Sequence, residues 1–196
     1  MDVGDVVNWK LLLAVAAASV LALLVGIWLA GSLLSSDTPA ARAEIVHFRD
    51  DVSKVSLDYP SSWTRVTDQA SDPEVALRVT DGDAMSLQVR VSDVGLARVT
   101  RKTLPVVRSL TDDLIGADPR AKQLVAPVAV VRGGLPGWRY RYTYASDATN
   151  GAHDHYFLFK AGRMIQLVFQ AQPADQLPRD AATFDRIAAT FQGFAK

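Results

Sequence analysis

A strict alternation of bulky aromatic and basic residues is the feature that most constrains this chain. Trp138, Tyr140, Tyr142 and Tyr144 fall at every second place, with Arg139, Arg141 and Thr143 between them. A period of two is that of an extended strand, so the four rings project to one face and both arginines to the other. After the turn-rich stretch Ser146 to Gly151, His153-Asp154-His155-Tyr156-Phe157-Leu158-Phe159 reads as a second strand. Ala161-Gly162 then reads as a tight reversal into a third, Met164 to Ala171. Three consecutive antiparallel strands predict the middle of a sheet. The ribbon 138–171 also holds most of the tyrosines and two of the three histidines, so a site is expected there.

The elements before the ribbon extend the same pattern. Val55, Leu57 and Tyr59 alternate with Lys54, Ser56 and Asp58, which predicts a half-buried strand over 52–59, broken by Pro60-Ser61-Ser62 before Trp63 to Val66 continues in a new direction. Val75 to Val79 and Met85 to Val91 form a hairpin around Asp81-Gly82. The start of a calcium loop is suggested by Asp81-Gly82-Asp83, but the remaining ligand positions are absent. Leu104, Val107, Leu110 and Leu114 change the spacing to three and four, predicting an amphipathic helix over 103–115 with Pro105 in its first turn and Gly116 as its stop. Leu124 to Val131 returns to strand, and Gly133-Gly134-Leu135-Pro136-Gly137 turns the chain into the ribbon. A second covering helix over 179–192 carries Phe184, Ile187, Ala188 and Phe191 on one stripe. Hairpins without βαβ alternation indicate an α+β domain, an antiparallel sheet flanked by helices.

The N-terminal part is of another kind. No charge occurs from Leu11 to Leu34; as a helix these residues would be roughly 36 Å long against a hydrocarbon core of about 30 Å. Trp9 and Trp28 lie near the two ends, as interfacial rings do. The run is longer than a signal peptide's apolar core, so an uncleaved single-pass helix is expected although Ala41-Arg42-Ala43 has the small-x-small form of a cleavage site. Leu29-Ala30-Gly31-Ser32 has the shape of a bacterial lipobox with serine in place of the cysteine that would carry the lipid. Lys10 beside the run places residues 1–10 in the cytoplasm and the large domain outside. The expected organisation is a cytoplasmic tail, 1–10; a transmembrane helix, 11–34, whose partner is the lipid bilayer; a linker, 35–43; and an extracytoplasmic domain, 44–196, held close to the cell membrane.

Composition narrows the function. Basic and acidic residues balance at 21 each, so no field points to nucleic acid. The absence of cysteine removes disulfides, thiolate metal sites and a cysteine nucleophile. No Gly-x-Ser-x-Gly or His-Glu-x-x-His occurs, and Gly133-Gly134 opens a strand where a phosphate cradle needs a helix.

Tyr59-Pro60-Ser61-Ser62-Trp63, Gly134-Leu135-Pro136-Gly137-Trp138-Arg139-Tyr140 and the Phe184 to Phe191 helix together resemble the PsbP/Mog1-like superfamily, with the nearest likeness to actinobacterial envelope proteins of the LpqN type. The resemblance spans roughly Ala43 to Phe194. It implies an α/β/α sandwich and a non-catalytic role in binding or assembling partners, and it transfers no functional residue. A transmembrane helix stands where the LpqN pattern has a lipidated cysteine.

Five residues are candidate ligand contacts. Arg139 and Arg141 share a face, and Arg90 or Arg132 on neighbouring strands would complete an anion pocket, unless their charges are paired by residues such as Asp147 or Asp154. His153 and His155 also share a face and would suit a transition metal, but a third ligand is missing nearby, so no metal and no cofactor is expected. The alternative for the pair is two strand residues, one exposed and one hydrogen-bonded. Tyr142 belongs to the aromatic row, which is either a ligand platform or core packing. The sequence reads as a binding or interaction module for an envelope protein or a small envelope molecule, with no nucleic acid. An enzyme, or a small-anion or metal binder, using the groove beside the ribbon is the alternative.

Overall fold

The computed structural model describes residues 44–67, 72–145 and 150–194. The segments 1–10, 11–34 and 35–43, with the expected membrane span, lie outside the described residues. Among those described no helix is long and apolar enough to cross a membrane.

The described residues form ten strands and two α-helices in the order β1 (Ile45–Asp50), β2 (Val55–Pro60), β3 (Thr64–Arg65), β4 (Val75–Asp81), β5 (Met85–Asp93), α1 (Arg108–Gly116), β6 (Lys122–Arg132), β7 (Leu135–Ala145), β8 (Asn150–Lys160), β9 (Arg163–Ala171), α2 (Leu177–Thr190) and β10 (Gln192–Gly193). The main sheet has the order β3-β4-β5-β9-β8-β7-β6, and a small sheet the order β1-β2-β10, with every pairing antiparallel. The ribbon is β7-β8-β9, and β8 and β9 are interior strands as the meander predicts.

The two faces of the main sheet are covered differently. On one, α2 and the small sheet close a large core. Phe184, Ile187, Ala188 and Phe191 are buried among Leu57, Leu77, Leu167 and Phe169, and the Phe184 ring stacks on Phe169 at 5.0 Å. The other face holds a smaller core of Tyr140, Tyr142, Phe157, Phe159 and Met164 with Leu104 and Val107, against which Leu114 and Ile115 of α1 pack. The expected helix over 103–115 is a 3-10 turn at Leu104–Val107 followed by α1. Thr111, not Leu110, is its fully buried residue, because its hydroxyl lies 2.6 Å from that of Tyr140 beneath. Aromatic tips fasten this layer: Trp138 Nε1 donates to the Leu104 carbonyl at 3.2 Å, and the Tyr140 hydroxyl donates to Asp112 at 2.6 Å.

Two glycines admit close backbone approach. Gly133 and Gly134 form the β6–β7 turn with φ of +51° and +75°, and a Cβ on Gly133 would stand 2.6 Å from the Phe191 carbonyl oxygen, so the turn seats the end of α2. On Gly137 a Cβ would meet the Phe157 carbonyl oxygen at 2.1 Å. Gly137→Ala is therefore expected to cost roughly 1–3 kcal/mol by forcing β7 from β8, measured by urea unfolding. An unchanged midpoint would contradict this packing.

Candidate functional site

The five sequence candidates divide between the two faces of the ribbon. Register accounts for the division: Tyr140 faces His155, Tyr142 faces His153, and Arg141 faces Asp154 across β7 and β8. Successive residues alternate faces. The histidines therefore join the tyrosine row beneath α1, while the arginines and Asp154 lie on the α2 face.

On the α2 face, Asp154 is wholly buried and binds both arginines. Arg139 Nε donates to Oδ1 at 2.6 Å and its Nη2 to Oδ2, and Arg141 Nε donates to Oδ2 at 3.0 Å. Asp185 of α2 adds an ion pair to Arg139 at 2.8 Å and accepts from the Tyr156 hydroxyl at 3.0 Å. Arg139 and Arg132 both stand over the Tyr156 ring, at 4.9 and 5.6 Å from its centroid. Burial works against the Arg139 charge, but its bonds and attraction to Asp154, with help from Tyr156 and Asp185, outweigh burial and raise its pKa. Arg90 does not join this group. It lies on the opposite face, paired with Asp72 at 2.7 Å and Glu74 at 2.9 Å, because Arg90 faces Gln166, Gln166 faces Phe157 and Phe157 faces Trp138.

On the α1 face, His153, His155 and Tyr142 form one chain of hydrogen bonds. Gln166 presents Oε1 to His155 Nε2 at 3.1 Å, so that nitrogen carries the proton. His155 Nδ1 then accepts from the Tyr142 hydroxyl at 3.2 Å, whose oxygen accepts from His153 Nδ1 at 2.9 Å. His153 Nε2 is left as a bare acceptor, buried and without a partner. Aromatic stacking holds the rings: His155 on Phe157 at 4.0 Å and His153 on Tyr144 at 4.5 Å. Burial pushes the His153 pKa down to about 4, while the neighbouring Gln170 side chain acts the other way. Burial, then the charges of His153 and Arg90, push His155 down to about 3, while Gln166 opposes. Burial raises the Tyr142 pKa. Both imidazoles are thus neutral and buried, so the sequence expectation of one exposed histidine in the pair is corrected: the rings of Tyr142, Tyr144 and Phe157 and the Gln166 amide enclose them. Among the described residues no three His, Asp or Glu gather as a metal site.

Sequence reasoning missed the polar residues Arg78, Gln88, Gln166 and Gln170, which β4, β5 and β9 bring to the same face, and put Arg90, which joins them there, with the arginines of the other face. Gln88, Arg90 and Gln170 are buried. The signal lay in the topology: alternation makes them solvent residues, yet β5 and β9 are interior strands.

Antiparallel strands with one helix on one face and a second helix plus a small sheet on the other define an α+β domain, and its fold is similar to that of PsbP and LpqN. Cyanobacterial PsbP (CyanoP) from Synechocystis superposes with a TM-score of 0.58 at 17% identity, covering 82% of this chain and 99% of that one. LpqN, involved in cell envelope biogenesis of Mycobacterium tuberculosis, gives 0.56 at 12% identity, covering 78% and 91%. The Ran-binding protein Mog1p of Saccharomyces cerevisiae gives 0.47 at 7% identity, covering 77% and 96%. No family model matches the sequence, and no curated protein is similar to it.

Proposed function

We propose that this chain is a non-catalytic interaction module of a bacterial cell envelope, tethered to the membrane through residues 11–34, which binds an envelope protein through β6. The exposed outer strand carries this reading. Among the described residues β6 pairs only with β7, and no charge occurs from Gln123 to Val131. Leu124, Val125 and Val128 are 49%, 55% and 52% exposed. Edge strands are ordinarily protected by charge or proline. Here Pro127 blocks continuous strand addition, so the apolar side chains form the contact. The titratable groups support a non-catalytic role: the histidines are neutral and enclosed, and Asp154 is held by two arginines. LpqN, a protein of this fold, is involved in cell envelope biogenesis, which supports an envelope role for this chain as well.

Because the chain lacks cysteine, single-cysteine variants test both parts of the proposal. On intact cells, a membrane-impermeant maleimide is expected to label Lys102→Cys fully, Val128→Cys weakly because the partner covers it, and Gly4→Cys not at all. A Val125→Asp change is expected to restore labelling at position 128. Labelling of Gly4→Cys alone would reverse the topology, and equal labelling at 102 and 128 would remove β6 as the docking strand.

A further inference from the structure

We infer that the polar strip on the α1 face of the main sheet, formed by Arg78 of β4, Gln88 of β5 and His153 of β8, is a binding site for a small, uncharged, polyhydroxylated ligand of the sugar class. This goes beyond protein docking at β6 and does not depend on it.

Unpaired polar atoms define the strip. Five buried side-chain nitrogen or oxygen atoms among the described residues have no hydrogen-bond partner, and four are here: Arg78 Nε, Gln88 Nε2, Gln88 Oε1 and His153 Nε2. Gln88 is only 2% exposed and His153 5%. Folded proteins pair nearly all such atoms, so this concentration on one sheet face is chemically specific. Register makes it a contiguous surface. Arg78 faces Gln88, Gln88 faces Val168, and Val168 faces His155, with Gln170 beside them facing His153. Gln88 and His153 thus lie two strands apart, about 10 Å across the sheet, and two residues apart along it, about 7 Å, so roughly 12 Å in all, a span suited to a molecule with several polar groups and too wide for a single small ion.

The chemistry of the four atoms selects the ligand. Gln88 offers a donor and an acceptor, Arg78 a donor, and His153 Nε2 an acceptor in the tautomer that the hydrogen-bond chain from Gln166 through His155 and Tyr142 favours. Hydroxyl groups both donate and accept, and match this mixture. An anion would meet the His153 lone pair. The strip's charges also cancel, two cations, Arg78 and Arg90, against two carboxylates, Asp72 and Glu74, both bound to Arg90. A neutral polyol therefore fits better than a phosphate or carboxylate.

The test uses the full chain in phosphocholine micelles, which contain no sugar, with nuclear magnetic resonance of the Gln88 side-chain amide and the His153 ring nitrogens. Glucose, maltose and myo-inositol are the uncharged probes, and inorganic phosphate and acetate the anionic ones. At least one uncharged probe is expected to give saturable shifts at both residues, while the anions give none, and Gln88→Leu is expected to weaken binding about tenfold or more. Without added probe, Gln88→Leu is also expected to raise Tm by about 2–4 °C, since it removes two unpaired buried atoms at similar volume. Shifts with anions alone would make this an anion site, and no shift with any probe would make it a closed, water-filled interior; either result overturns the proposal. So does a lower Tm for Gln88→Leu, which would make the amide structural.

Discussion

Asp154→Ala is expected to destabilise the domain by about 3–5 kcal/mol, because it strands positive charge that has been taken out of water. The carboxylate is wholly buried, and the Arg139 side chain it holds is only 14% exposed. Its loss leaves Arg139 with Asp185 alone, a residue whose side chain is 45% exposed and therefore a weak, screened partner. Asp185→Ala, in contrast, is expected to cost about 1 kcal/mol or less. Against a typical total of roughly 5–15 kcal/mol, the Asp154 change alone brings the fold near its limit. Equilibrium urea unfolding of residues 44–196 measures both variants. A double variant, Asp154→Ala with Arg139→Met, should recover much of the loss, since an apolar pair avoids the uncompensated charge. A loss below about 1 kcal/mol for Asp154→Ala would mean that the ion network carries no stability.

The same network marks what is legible in the chain and what is not. Alternation alone places Arg139 and Arg141 together and Asp154 opposite the histidines, because parity within a strand is a local property. Parity between strands depends on register. That Arg141 faces Asp154 is decided where β8 begins after the loop, and that Arg90 lies on the tyrosine face needs two further pairings, to Gln166 and then Phe157. Strand β1 has too little local signal: of Ile45–Asp50 only Phe48 is buried, so no apolar alternation announces it, and its pairing with β2 defines it. The α2 stripe is strong because Phe184, Ile187, Ala188 and Phe191 all reach the core, whereas in α1 the buried position is the polar Thr111, chosen by the Tyr140 hydroxyl. Burial of the histidines is the least local fact. It rests on neighbours that other strands bring, Tyr142 and Tyr144 of β7 and Gln166 of β9, together with Phe157 of β8, and so the two imidazoles look like surface groups until the sheet is assembled.

Acidification from pH 7 to pH 5 is expected to remove roughly 3–4 kcal/mol of stability through His153 and His155. Both groups have folded pKa values, about 4 and about 3, below the ordinary histidine value of 6.5, with burial as the leading cause. Below pH 6.5 the unfolded chain therefore binds two protons that the folded chain does not, and stability falls with pH at up to about 1.4 kcal/mol per unit for each histidine. The stability is fully present above pH 6.5 and is lost progressively toward pH 4 for His153 and pH 3 for His155. The bonding explains why the folded state does not simply accept the protons. A proton on His155 Nδ1 would face the Tyr142 hydroxyl hydrogen, and His153 Nε2 makes no hydrogen bond that would hold one, leaving only the neighbouring Gln170 side chain to favour it, which burial outweighs. Urea unfolding at pH 7, 6 and 5 measures the slope, and the His153→Gln, His155→Gln double variant should flatten most of it. Exposed His47, 2.6 Å from Asp58, is present in both proteins and cancels from the comparison. Equal slopes in the two proteins would show that the imidazoles reach water or find acceptors, and the hydrogen-bond chain through Tyr142 would then be wrong in the direction of its protons.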